Sequence, residues 1–273
     1  MDWLQVAVLG VLQGLTEFLP ISSSAHLRIF PELFGWGDPG AAFTAVVQIG
    51  TEVAVIGYFR REIWHIAGAW VRSLWNPVWR GHRDTLMGWY VIIGSVPIVA
   101  LGIAFKDIIE EDLRSLWIVG STLVGLGLVL AVAEYVGRRT RPIESANWRS
   151  AVLLGLAQAA ALVPGVSRSG ATISMGLFLG FEREAATRFA FLLAIPAVVG
   201  AGVFELQEAA GADNPYSPAQ TLVATLVAFV VGYASIAWLL RYIATRSYAP
   251  FVVYRVVLGG TVLLLLAAGV LAP

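Results

Sequence analysis

The sequence predicts an all-α polytopic membrane protein: six transmembrane helices plus two re-entrant helical hairpins in an inverted-topology repeat. Three observations carry this. Hydrophobic residues make up 58% of the 273-residue chain and charged residues 13%, at a mean hydropathy of +0.76, which excludes an ordinary soluble domain. Six apolar stretches, 42–59, 86–105, 115–136, 185–204, 219–240 and 251–271, have the length a helix needs to cross hydrocarbon, roughly 17 to 25 residues. Finally, a polar, proline-broken run at 13–26, Gln-Gly-Leu-Thr-Glu-Phe-Leu-Pro-Ile-Ser-Ser-Ser-Ala-His, is echoed at 158–172 by Gln-Ala-Ala-Ala-Leu-Val-Pro-Gly-Val-Ser-Arg-Ser-Gly-Ala-Thr. Paired interruptions in corresponding halves of a membrane chain point to a buried binding site.

Transmembrane strands would alternate polar and apolar residues, and these stretches do not. With no cysteine, disulfides, thiolate metal sites and thiol nucleophiles are excluded. The apolar start follows Asp2 rather than a basic cluster and runs into Gln13 and Glu17, so it reads as mature structure and not as a signal peptide.

Arginine placement orients the spans. The loop 60–85 carries Arg60, Arg61, Arg72, Arg80 and Arg83, and the loop 137–149 carries Arg138, Arg139, Arg141 and Arg149, so both are predicted cytoplasmic. The acidic segment 106–114 and the segment 205–218, with Glu205, Glu208 and Asp213, are predicted outside. Both termini then lie outside. The first hairpin opens outward and the second toward the cytoplasm. One membrane domain, 1–273, thus divides into a first repeat at 1–136 (hairpin 3–34 plus three spans) and an upside-down second at 150–273 (hairpin 150–182 plus three spans).

Pro20, and Pro164 with Gly165, stop the preceding helices, because proline lacks an N–H and clashes with the turn before it. The serines beyond suit the N-caps of new short helices. Backbone of this kind survives at membrane depth only where protein or a wet cavity satisfies it. Two converging helix N-termini would favour an anion, with phosphate the obvious candidate. Gln13, Thr16 and Glu17 share a helical face, and the spacing of His26 from Ser22 and Ser23 lets the imidazole share a face with either hydroxyl. Arg168 suits bidentate phosphate contact, and Ser167, Ser169 and Thr172 offer further donors. Ser22 and Ser24 read as caps and polar glue. Glu52, one turn after Gln48, lines the same cavity or balances Arg168. Arg188 and Arg255 read as span-end residues that snorkel or meet lipid phosphate. The ten tryptophans read mainly as interfacial anchors, and the many glycines and alanines as helix-packing residues.

At 13–26 the chain resembles the first signature of the bacterial undecaprenyl-diphosphate phosphatases, the bacitracin-resistance protein family, and at 164–172 the second. The resemblance spans the whole chain. It implies an enzyme of the bacterial cytoplasmic membrane that converts undecaprenyl diphosphate to the monophosphate and inorganic phosphate, recycling the carrier for cell-wall polymers and conferring bacitracin resistance. It implies catalytic roles for Glu17, Ser23, His26 and Arg168. Substrate contacts are expected from Gln13, Ser22, Ser24, Ser167, Ser169 and Thr172. Mg2+ or Ca2+ is expected at Glu17. Ser23 matches the family's nucleophile candidate, with His26 or Glu17 taking its proton, or a water activated at Glu17 attacking instead. Where the family motif has Glu or Gln first, this chain has Gln13, which argues against that position as an anionic metal ligand. Expected partners are the polyprenyl diphosphate, membrane lipids and, as an option, a second copy in a homodimer; no nucleic-acid partner is expected.

The rival reading is a transporter or flippase for a polyprenyl phosphate or another anion, since inverted repeats with broken helices also describe transporters. Hydroxyl, imidazole, carboxylate and guanidinium together in the breaks favour an enzyme. A phosphatase of the other membrane lipid-phosphatase superfamily fits less well: His26 follows Ser24 without a Pro-Ser-Gly-His pattern.

Overall fold

A computed structural model describes residues 2–37, 39–105, 108, 109, 113, 115–209 and 216–271. Among these are eleven α-helices and no strand, only an isolated bridge between Arg141 and Phe181. In chain order they are α1 (Trp3–Phe18), α2 (Ser23–Leu33), α3 (Ala41–Tyr58), α4 (Arg60–Trp75), α5 (Arg83–Ala104), α6 (Leu116–Val136), α7 (Trp148–Ala159), α8 (Arg168–Phe178), α9 (Arg183–Ala209), α10 (Pro218–Ile243) and α11 (Ala249–Ala267).

Local chemistry sets the starts. The Asp2 carboxylate accepts from Leu4 N–H at the head of α1. Asn147 and Ser150 form a reciprocal capping box for α7, as Ser217 and Gln220 do for α10, where Pro218 takes the first turn. Helices α3, α5, α6, α9, α10 and α11 cover the six apolar stretches. Of these, α5, α6, α10 and α11 are long and apolar enough to cross a membrane.

The stretch 60–85, read from its arginines as a loop, instead begins with the 16-residue helix α4. Its charges obscure an apolar face: Ile63, Ile66, Ala67 and Trp70 recur at helical spacing and border a groove shared with Gly88, Val91 and Ile92 of α5. Trp70 meets Trp89 edge-on at 5.5 Å between ring centroids. The acidic residues at 107 and 110–112, and Asp213, lie outside the described residues, as do the side chains of Glu205 and Glu208.

Small residues make the closest crossings, as helices in lipid require. A Cβ on Gly14 of α1 would stand 2.9 Å from the Ala228 carbonyl oxygen of α10. One on Gly155 of α7 would stand 2.3 Å from that of Gly94 in α5. Helix α1 therefore lies along α10 as α7 lies along α5, while α6 and α11 pack on each other. Between these pairs a core of Phe18, Val55, Phe59, Leu130 and Phe191 packs around Ile173 of the short helix α8, while Ala25 and Ile29 of the short helix α2 pack with Leu116, Val119 and Leu123 of α6. Trp3, Trp64, Trp75 and Trp148 stand exposed on the outside.

Candidate active site

Both proline-bearing breaks end in a serine with left-handed backbone, Ser22 at φ +76° and Ser167 at φ +70°. Such a φ is uncommon for a residue with a Cβ and persists only where the surroundings enforce it. What enforces it here is capping: Ser22 Oγ accepts from Ala25 N–H (3.4 Å) and Ser167 Oγ accepts from Gly170 N–H (3.1 Å). Each serine heads a short helix whose first turn faces the other break. The breaks also hold each other. Ser24 Oγ accepts from Gly165 N–H at 3.3 Å, and Ser169 Oγ donates to the Leu19 carbonyl at 3.1 Å.

At this junction Arg168 Nη2 meets Glu17 Oε1 at 2.5 Å. The other carboxylate oxygen accepts from Ser23 Oγ at 2.6 Å and from Gln13 Nε2 at 3.1 Å. Gln13 also donates to Thr51 Oγ1 of α3 at 3.3 Å. Beside them a cavity of about 10 Å3, room for roughly one water, is lined by Glu17, Thr51, Glu52, Arg168 and Ser169 above the rings of Phe18 and Phe191. Glu52, left open by the sequence between cavity and counter-ion, lies 7% exposed in this wall and accepts from Gln48 Nε2 at 3.4 Å. Gln13, Glu17, Ser23, Arg168 and Ser169 are thus brought together from both halves.

His26 is not bonded to Ser23. Its Nδ1 lies 2.6 Å from the Ser22 carbonyl and its Nε2 lies 2.6 Å from the Tyr254 hydroxyl, with the ring stacked between Tyr254 and Phe30. A carbonyl only accepts, so Nδ1 carries the proton and a neutral ring accepts from Tyr254 at Nε2. The face shared with Ser22 is used, but through the backbone carbonyl four residues back, while the Ser23 hydroxyl turns to Glu17. Thr172 also stays out of the cavity: it is fully buried, its hydroxyl given to the Arg168 carbonyl.

The two breaks are not equivalent. Gln158 occupies the place of Gln13, yet Leu162 stands where the first break has Glu17, and neither amide atom of the buried Gln158 has a hydrogen-bond partner among the described residues.

Two arginines depart from expectation. Arg188 does not snorkel alone but pairs with Glu62 of α4 at 2.9 Å and Glu184 at 3.2 Å, because the unforeseen α4 brings a carboxylate beside it. Arg255 is no span-end residue: α11 starts at Ala249, which places Arg255 within the helix and 0% exposed. Its guanidinium donates to carbonyls of both breaks, Pro20 at 3.2 Å and Gly165 and Val166 at 3.0 Å each. The only sequence signal was a charge inside an apolar stretch, which is seldom idle.

Among the described residues no three His, Asp or Glu side chains gather as a ready-made metal site. Glu17 and Glu52 nevertheless offer hard oxygen donors on one cavity, which suits a divalent cation that takes one or two carboxylates and completes its shell with substrate phosphates.

Comparison with known proteins covers the whole chain. An undecaprenyl-diphosphatase of a Nocardioides species is 68% identical over 271 residues, 99% of each chain. One from Micrococcus luteus is 52% identical over the full length of both, and an undecaprenyl-diphosphatase 2 from Agrobacterium fabrum is 53% identical over all of this chain and 98% of that one. The profile of the family described as bacitracin resistance protein BacA matches residues 6–261. Two broken helices joined by Glu17 and Arg168, within a chain matched from end to end, place this protein in the bacitracin resistance protein BacA family.

Proposed function

We propose that the protein is a multi-pass membrane phosphatase that hydrolyses undecaprenyl diphosphate to undecaprenyl phosphate and inorganic phosphate, recycling the carrier for cell-wall synthesis and conferring bacitracin resistance. The observation that carries it is Glu17, which bonds Ser23 of the first break and Arg168 of the second in one small cavity. The relatives named as undecaprenyl-diphosphatases supply the substrate.

Phosphoryl transfer needs charge neutralisation and alignment more than new covalent chemistry. Arg168 and the first turns of α2 and α8 meet the phosphate oxygens. The cavity is too small for a diphosphate beside an intact ion pair, so Arg168 exchanges Glu17 for the terminal phosphate. The freed carboxylate accepts the proton of Ser23 Oγ. An Oγ–P bond forms, the bridging P–O bond breaks, and its electron pair leaves with undecaprenyl phosphate. Water then cleaves the phosphoserine. Mg2+ or Ca2+ at Glu17 would supply Lewis-acid neutralisation of the diphosphate when bound. His26 holds the start of α2, and Ser169 holds break to break. The competing route is direct attack by water at Glu17. Phosphoserine trapped by acid quench supports the serine route, and unimpaired turnover by Ser23→Ala removes it.

The same proposal arranges six spanning helices, α3, α5, α6, α9, α10 and α11, about two re-entrant hairpins in inverted repeats at 1–136 and 150–273. The matched packing of α1 on α10 and α7 on α5 supports this, as do the paired serines. The arginine-rich segments face the cytoplasm, the termini lie outside, the membrane is the bacterial cytoplasmic one, and a homodimer is compatible with the arrangement. Purified protein given undecaprenyl diphosphate and Mg2+ in detergent releases phosphate on this reading. The paired breaks also favour a second reading, transport of the lipid or an anion. Failure to release phosphate, alongside solute counterflow in liposomes, would make that reading the better one.

A further inference from the structure

We infer that Arg255 is a positioning residue that holds the two breaks in register, so that Glu17 and Ser23 from one meet Arg168 from the other. The inference rests on the phosphatase reading above for its kinetic consequence, though not for its structural one.

Each proline-bearing break ends a helix early and leaves carbonyls without an intrahelical partner, which at membrane depth must be satisfied by protein. Arg255 satisfies them on both sides. Its Nη1 donates to Pro20 O at 3.2 Å, and its Nη2 to Gly165 O and Val166 O at 3.0 Å. It is anchored in turn to α6, where Nε donates to Leu123 O at 3.2 Å and Nη2 approaches Thr122 O at 3.3 Å. Thr122 reinforces the second break by donating to Pro164 O at 2.7 Å. The packing leaves no slack, since a Cβ on Gly170 would sit 3.0 Å from Arg255 Nη1.

Chain position converts this brace into active-site geometry. Pro20 lies midway between Glu17 and Ser23, and Val166 lies two residues before Arg168. A shift of either break therefore moves the reacting groups directly. Only a guanidinium serves: it presents five donors in a rigid plane, whereas a lysine ammonium carries three at one point and reaches one break at a time. Among the described residues no carboxylate pairs with Arg255, so its role is not that of an ion-pair partner.

The test uses the full-length chain as wild type, Arg255→Lys and Arg255→Ala. Phosphate release from undecaprenyl diphosphate should show kcat lowered about 100-fold in both variants with KM little changed, the size of effect produced by misplacing reacting groups by about 1 Å. Methylguanidinium should restore part of the rate to Arg255→Ala but not to Arg255→Lys, where the side chain still fills the space. The chain lacks cysteine, so spin labels at Leu33→Cys and Phe178→Cys, on the exposed ends of α2 and α8, report the distance between the short helices without reference to activity. A single narrow distance in wild type should broaden in both variants. If Arg255→Ala does not fold, Arg255→Lys alone decides. Wild-type kcat in a folded variant, or a loss confined to KM, or a distance distribution unchanged from wild type, would overturn the inference. Absence of phosphate release by the wild type would instead overturn the phosphatase reading, leaving the distance measurement to judge Arg255.

Discussion

Ser22 and Ser167 stand in corresponding places in the two breaks and adopt the same left-handed backbone, φ +76° and +70°, each with its hydroxyl capping the helix that follows. The cap and the strain act in opposite directions. Replacement of either by Ala keeps the strain and loses the cap, and should destabilise by about 1 kcal/mol. Replacement by Gly relieves the strain and should cost less. Thermal midpoints of the detergent-solubilised variants order the three residues as Ser above Gly above Ala.

The Glu17–Arg168 pair makes a sharper prediction. Removing a donor aimed at developing charge typically costs a factor of about 100 to 1,000 in kcat, and Arg168→Lys should lose most of that because an ammonium cannot bridge two phosphate oxygens. Glu17→Gln keeps the shape but not the proton acceptor and should be at least as damaging. Near wild-type phosphate release by Glu17→Gln would remove the carboxylate from the chemistry.

A divalent cation held by the oxygen donors of Glu17 and Glu52, as proposed above, would make turnover cation-dependent. Exhaustive chelation should stop phosphate release, and added Mg2+ or Ca2+ should restore it. Glu52→Gln should raise the cation concentration needed for half-maximal rate, whereas an unchanged requirement would leave Glu52 with a structural role.

Tyr254 hydrogen-bonds His26 Nε2. Tyr254→Phe leaves a buried ring nitrogen unpartnered, a loss of about 1 to 3 kcal/mol. The thermal midpoint should fall accordingly, with phosphate release reduced far less than by Glu17→Gln. A kinetic loss equal to that of Glu17→Gln, without a change in midpoint, would place the Tyr254–His26 pair in the chemistry.

Helix crossings should respond to single methyl groups. A Cβ on Gly155 would lie 2.3 Å from Gly94 O, so Gly155→Ala should destabilise by about 1 to 3 kcal/mol through overpacking. Gly125 has open space around it, and Gly125→Ala should leave the midpoint unchanged or slightly raised.

Much of this molecule was legible in the sequence, and for identifiable reasons. Apolar length marked the long helices, and Pro20, Pro164 and the adjacent serines marked the breaks, because those residues act on the backbone locally. The convergence of Glu17, Ser23 and Arg168 could be anticipated from the echo between halves. Helix α4 was hidden because arginine density signals membrane side and carries no information on helicity, while its apolar stripe is narrow. The partner of His26 was hidden because Tyr254 lies 228 positions away, on a helix whose register only tertiary packing sets. Arg255 was misplaced for a similar reason: six residues from a helix start can mean the interface or the interior, and depth depends on what packs alongside.

Ser24 answers to Gly165 and Ser169 to Leu19, so the two halves are fastened by a pair of reciprocal bonds. Substitutions on opposite sides of this seam will not add: loosening one break already frees the other, and a second change finds less left to lose. A chimera built from the halves of two relatives should therefore work only when the residues that meet across the seam are matched to those of a single parent.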